Sequence, residues 1–272
     1  MSKHIELGHA LITMIEPNRD TVRQYNRWYE HDHFLSGVLT GPGAFAGRRF
    51  VATRELKDLR FPANSPLARP VDDGSFITVY WIERDQLAAH CDWGFPEAAR
   101  LAGLGRMNTD RHHVSTSYYD LAGHTPRDKS PVPVELALHH PYPGLVMIWT
   151  STPATDHEAR AAGLRGHLTE ADSPISRAVT FRPIVLPDPL PAMPGVIIGE
   201  GDLGDQAAED TTPDDTAILV HCCFVDGDLA AQWPTTSALI EKAIATAGLD
   251  TLLVAPFIPT VPGTDNYLDE LW

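Results

Sequence analysis

The chain has 272 residues, with 21 Lys and Arg against 36 Asp and Glu, a formal net charge of −15. Its 43% hydrophobic and 21% charged content describe a folded protein with room for one large domain or two smaller ones. The acidity excludes a nucleic-acid backbone as the main partner and disfavours an anionic membrane surface, since both require a basic footprint.

The charge is unevenly spread. Residues 1–150 hold 16 basic and 17 acidic side chains, and residues 151–272 hold 5 and 19. Seven acids and no base lie between Glu200 and Asp215, without the D-x-D-x-D-G spacing of a calcium loop, so they read as a solvated loop. Three cysteines, Cys91, Cys222 and Cys223, make no disulfide framework. No apolar h-region follows Met1 and no apolar run reaches bilayer length, so the expected location is cytoplasmic.

In chain order, the first predicted strand is His9–Ile15, stopping at Glu16-Pro17. A helix is predicted over Asp20–Leu35, free of Gly and Pro, followed by a weaker strand at Arg48–Thr53. Phe76–Ile82 is a clear β-rich strand. A helix starts at Asp85–His90 and resumes over Pro96–Leu104 after a break at Gly94, before a weaker strand at His112–Tyr119. The prolines from Pro126 to Pro143 then read as a linker. Strands follow at Leu145–Thr150, Ala178–Arg182, Ala217–Val225 and Thr251–Ala255. Helices are predicted over Asp156–Leu168 and over Thr235–Ala247, the latter between Pro234 and Gly248. A second proline cluster, Pro183 to Pro194, cannot be a central strand.

The order is β-α-β-β-α-β twice, the split βαβ unit of ferredoxin-like folds. The expected class is α+β, with two tandem ferredoxin-like units forming an α/β barrel. The expected domains are 1–125 and 143–255, a linker at 126–142, an acidic Pro-rich insertion at 183–216 and a C-terminal arm at 256–272 packed over its own barrel or a partner. Two such sheets closing face to face would enclose a pocket lined by alternate strand residues.

The chemistry-bearing stretch is Tyr25-Asn-Arg-Trp-Tyr-Glu-His-Asp-His-Phe-Leu35. At 100° per residue, Val22, Asn26, Tyr29 and His33 share one helix face, flanked by Trp28 and Leu35, and His31 points away. His31 and His33 diverge by about 160°, so this is not a metal pair. Histidine shuttles protons near neutral pH and tyrosine can serve a developing oxyanion, which makes His33 and Tyr29 catalytic candidates. A second cluster is Arg111–Asp120. On a regular strand His112, Val114, Thr116 and Tyr118 would line one face and His113, Ser115, Ser117 and Tyr119 the other; either face could turn inward, and His112 with Tyr118 is the preferred pair. Trp28, Arg49, Tyr80 and His221 are candidates for binding substrate, Arg49 through a carboxylate or phenolate. No G-x-G-x-x-G, G-x-x-x-x-G-K-[ST], H-E-x-x-H, C-x-x-C or G-x-S-x-G motif occurs.

Asn26-Arg27-Trp28-Tyr29 with His33 five residues after the Trp, then Pro42-Gly43 and Arg48-Arg49-Phe50, resembles the dimeric α/β-barrel superfamily, particularly EthD-like proteins. The spacing from His33 to Pro42 is one residue longer than in that family, and Leu35 stands where it often has Pro. The resemblance covers about 45 residues. It implies a hydrophobic pocket with a few acid/base groups, a homodimer, and activities ranging over cofactor-independent monooxygenases, isomerases, cyclases, lyases and haem enzymes. The expected function is a cofactor-independent enzyme using His/Tyr acid–base chemistry on a small aromatic or phenolic compound. Within that class a lyase is favoured, by retro-aldol cleavage or dehydration. The alternatives are a cofactor-free or haem-dependent oxygenase and a non-catalytic carrier of a hydrophobic ligand.

Overall fold

The structure, a computed structural model, describes residues 4–129, 131–184 and 216–272. The acidic run Glu200–Asp215 and nearly all of the insertion expected at 183–216 lie outside these residues.

Among the described residues eight strands form: β1 (Leu7–Pro17), β2 (Ala44–Val51), β3 (Phe76–Glu83), β4 (Arg111–Pro126), β5 (Gly144–Pro153), β6 (Ile175–Pro183), β7 (Thr216–Val225) and β8 (Asp250–Pro259). All pairings are antiparallel, in the cyclic order β1-β3-β2-β8-β5-β7-β6-β4, with β4 returning to β1. Within each half the fourth strand lies beside the first, then the third, then the second, which is the split βαβ order read from the sequence. The halves join through β2 with β8 and β4 with β6, closing a barrel.

The barrel interior is not a pocket. Trp81, Trp149, Phe181, Phe224 and Phe257 point inward, each fully buried, with Ile12, Met14, Val79 and Met147 between them. Eight strands leave an interior just wide enough for side chains to fill. Both mouths are plugged as well. Val134, Ala137, Leu138 and Tyr142 from the proline-rich connection pack into the same core, with Trp81 Nε1 donating to Val134 O at 3.2 Å. Leu56, Leu67 and Ala68 join that core from the connection between β2 and β3.

The helices cover the outside. α1 (Val22–Trp28) continues as a π-helical segment, Tyr29–Leu39, whose bonds run i to i+5. The short α2 (Arg54–Lys57) follows β2. α3 (Leu87–Gly103) runs unbroken through Gly94 and Pro96, where the sequence reading placed a break. α4 (His157–Leu168) and α5 (Leu229–Ala247) cover the second half. α5 begins six residues before its predicted start, because Asp228 accepts a bond from Ala231 N at 3.1 Å and caps it there. It ends as read, at Gly248 with φ 67°. Among the described residues no helix is long and apolar enough to cross a membrane.

β8 runs on to Pro259, taking four residues assigned to the arm, since Ile258 and Pro259 pair with β2. The remainder folds back onto α1. Leu268 and Leu271 bury against Ile15, Val22 and Tyr25, and Asp265 pairs with Arg23 and Arg27.

Candidate active site

The helix-covered outer face of the first half is polar where such a layer is normally apolar. β1 presents Thr13, β2 Arg49, β3 Thr78 and Tyr80, and β4 His113, Thr116 and Tyr118. A bulge sets the last three. Met14 pairs with Ser115 but Ile15 pairs with His113, so Val114 is the extra residue. It turns inward into the barrel core. The extra residue reverses the alternation, so His113 rather than His112 shares a face with Thr116 and Tyr118. His113 Nδ1 and Thr116 Oγ1 lie 2.6 Å apart, and Thr116 Oγ1 is 2.7 Å from Thr13 Oγ1. His112 is exposed, 3.4 Å from Asp73.

From above, the π-helical segment lowers Tyr29, His33 and Phe34 onto this face. In an α-helix, residues five apart diverge by about 140°. Here the wider turn brings Trp28 and His33 into register. Their rings stack with centroids 4.7 Å apart and planes 19° from parallel. Tyr29 meets His33 edge-on at 5.4 Å. Gly37 closes over the other side: a Cβ there would sit 2.6 Å from His33 Nδ1. That nitrogen is buried without a partner. Nε2 bonds to no described residue, and part of the ring reaches the surface. Burial, reinforced by the Arg111 charge, lowers the pKa of His33 to about 4, so its imidazole is neutral at pH 7. Burial and Arg111 likewise lower His113 to about 3, and its Nε2 is buried and unpaired.

Below His33 the tyrosines are committed. The Tyr29 hydroxyl donates to Thr78 Oγ1 at 2.9 Å and lies 2.7 Å from the Tyr80 hydroxyl. Both rings are buried, and burial raises both pKa values. Tyr29 is thereby a residue that positions His33, with its hydroxyl turned into the sheet. Arg49 is enclosed as well. It donates to Asn26 Oδ1 at 2.6 Å, approaches Glu30 at 3.9 Å, and has its guanidinium carbon 3.8 Å from the Phe76 ring centroid and 4.5 Å from that of Tyr29. It clamps the helix to the sheet and offers no open edge comparable to His33.

Of the residues singled out in the sequence, the structure therefore brings together Trp28, Tyr29, His33 and Tyr80. Tyr118 shares the face but lies under α3, 5.9 Å from His90. His221 stands apart under α4 and α5, its Nδ1 2.9 Å from Thr180 Oγ1 and its Nε2 3.1 Å from Thr150 Oγ1. Sequence reasoning placed His113 on the face opposite Thr116 and Tyr118, since no local signal marks the bulge, and missed Gly37, legible only as a glycine four residues after the histidine. Grooves of about 380 Å³ and about 100 Å³ run between α1 and the C-terminal arm, and neither is lined by His33 or His113.

The residues around His33 do not frame a porphyrin slot. Trp28 covers its face, and Tyr29, Phe34 and Tyr80 fill the layer beneath it. Among the described residues no group of three metal-ligating side chains converges.

No family model matches the chain, and no curated protein matches it. Solved structures do. An anthrone oxidase-like protein superposes with a TM-score of 0.50 at 9% identity, over 94% of this chain and 92% of that one. A DyP-type peroxidase from Cellulomonas bogoriensis superposes with a TM-score of 0.42 at 12% identity, over 97% and 93%. At such identity the first likeness is one of fold, mixed α+β and ferredoxin-like, and the second adds nothing to it.

Proposed function

We propose that the chain is an enzyme that takes a proton from a small aromatic or phenolic compound at His33 and passes the resulting anion to dioxygen. The observation that carries this reading is a single imidazole: neutral at pH 7, stacked on Trp28, and with an uncommitted Nε2. A neutral histidine accepts a proton, and the indole stacked on it fixes the plane of the imidazole. The EthD-like run from Asn26 to Tyr29 supplies this indole and ends four residues before His33.

For a methylene between aromatic rings, His33 removes one proton. The carbanion is then oxidised by dioxygen, one oxygen atom becoming the carbonyl and the other leaving as water with both hydrogens. The balance is CH2 + O2 giving C=O + H2O. No organic cofactor is required, because the substrate anion is itself the reductant. The anthrone oxidase-like neighbour has the fold on which this reading rests. The lyase reading uses the same base but needs an oxyanion partner, and Tyr29, the group assigned to it, has its hydroxyl engaged by Thr78 and Tyr80. The oxygenase reading therefore stands first.

The test is oxygen uptake with a panel of hydroxylated aromatics. His33→Ala is expected to lower turnover ~10²–10⁴-fold, the usual worth of a positioned general base. Full activity in the double variant His33→Ala, Tyr29→Phe would falsify the assignment. Turnover unchanged without oxygen restores the lyase. A Soret band in the purified protein overturns the cofactor-free part.

A further inference from the structure

Arg111 is the charged side chain beside His33 that the proposed reaction leaves unused. It opens β4, its guanidinium carbon 5.5 Å from the Trp28 ring centroid. Trp28 is thus flanked by Arg111 and His33. Nη1 of Arg111 is buried and has no partner among the described residues. What distinguishes it from neighbouring arginines is the lack of a nearby carboxylate, for Nε and Nη2 of Arg49 are also buried without a partner. Arg23 and Arg27 pair with Asp265, Arg49 approaches Glu30, and Arg106 is held by Asp32. For Arg111, no carboxylate of a described residue comes within ion-pair distance, and Asp110 acts on it only from farther away. Its close surroundings are two neutral imidazoles, an indole and two tyrosines. A largely enclosed guanidinium without a counter-charge is unfavourable, and an anion brought by a ligand relieves it.

We propose that Arg111 is the anion-recognition residue of the His33 site, and that the substrate is an aromatic compound bearing a carboxylate. The planar fork of arginine matches a carboxylate with two parallel bonds, which also fixes the orientation of the attached ring. With the carboxylate held by Arg111 beside Trp28, the acidic proton is presented to the open edge of His33. The inference rests on His33 marking the substrate site, and its test does not depend on turnover.

The experiment is calorimetric titration of the full chain with benzoate and with benzamide, a neutral molecule of the same shape. The expected result is at least ~10-fold tighter binding of benzoate. Arg111→Gln is expected to abolish that preference, and Arg111→Lys, which keeps the charge and loses the fork, to retain only part of it. His33→Ala is expected to keep the preference intact. Equal binding of the two probes by the unaltered protein overturns the proposal, as does a benzoate preference that survives in Arg111→Gln. Should Arg111→Gln fail to fold, the Lys variant decides: an undiminished preference overturns the proposal. A benzoate preference in a protein that turns over no aromatic substrate defeats the oxygenase reading and leaves this one standing. Turnover of neutral aromatics without an anion preference does the reverse.

Discussion

The two halves of the barrel share one strand order, yet the layers between helix and sheet differ. In the second half, Val146, Ile148, Ala178, Leu219, Cys223 and Val225 meet Ala161, Leu164, Ile240 and Ile244 of α4 and α5, all buried. The one histidine on that sheet face, His221, has a threonine on each ring nitrogen. In the first half the corresponding layer holds Thr78, Tyr80, Arg49 and His113 under a π-helical cover. There His33 Nδ1, His113 Nε2, Arg111 Nη1 and both Nε and Nη2 of Arg49 are buried without partners. Buried polar groups are normally satisfied, and where they are not, the explanation is sought in function. The second half has such groups as well, Arg165 Nε and Nη1 on α4, but the rest of its layer is apolar.

The comparison yields predictions of decreasing size. The largest is loss of turnover in His33→Ala, which should far exceed the effect on the melting temperature. A residue of the packed half should behave the opposite way: Leu164→Ala should destabilise by about 2–5 kcal/mol through the cavity it leaves, while the activity per folded molecule stays unchanged. Urea unfolding with parallel kinetics separates these two outcomes, and equal effects on both readouts would erase the distinction between the halves.

Acid comes next. His221 is held neutral by burial, its pKa lowered to about 3, against ~6.5 in an unfolded chain. Below pH 6.5 the unfolded chain takes up a proton that the native chain refuses. This stability is therefore complete above pH ~6.5 and falls as the pH drops, by about 1.4 kcal/mol per unit for one such group. His221→Gln should flatten the dependence of the urea midpoint between pH 6 and 4.5. In activity, the low pKa of His33 keeps the base unprotonated, so kcat/KM should stay level from pH 8 to about 5 and fall only as the pH nears 4. A midpoint near 6.5 would show that His33 is not held as the structure has it.

Smaller still is Gly37→Ala. In an ordinary helix this exchange stabilises by about 1 kcal/mol, but here the added Cβ meets the His33 ring. The gain should vanish and turnover should drop, whereas Gly163→Ala in α4, where a Cβ has open space, should stabilise and leave activity alone. The smallest effect is expected for Asp265→Asn, which loosens exposed ion pairs of the arm, a loss that should shrink further in salt.

Five of the eight strands announced themselves by clear runs of β-branched or aromatic residues and three by weaker ones, and the repeated order alone was enough for the split βαβ topology. Local pattern decides these features, because alternation and turn residues are encoded within a few positions. The side of the sheet on which the chemistry lies was another matter. The enclosed pocket expected between the sheets is a packed core, because closure with eight strands brings Trp81, Trp149 and Phe181 together from separate segments. Pairing His112 with Tyr118 followed the period-two rule, which the bulge at Val114 breaks. That bulge exists only in the register between β1 and β4, about a hundred residues apart in sequence. Tyr29 and His33 were legible as sharing a helix face, but the stacking of Trp28 on His33 needed the π-helical turn. By itself, then, the sequence determined the elements, their order and one inward histidine. Only the tertiary structure decided that the histidine is neutral, which ring nitrogen is free, and that Arg111 lies beside it uncompensated. Those properties depend on burial and on partners brought from distant parts of the chain, which no local pattern records.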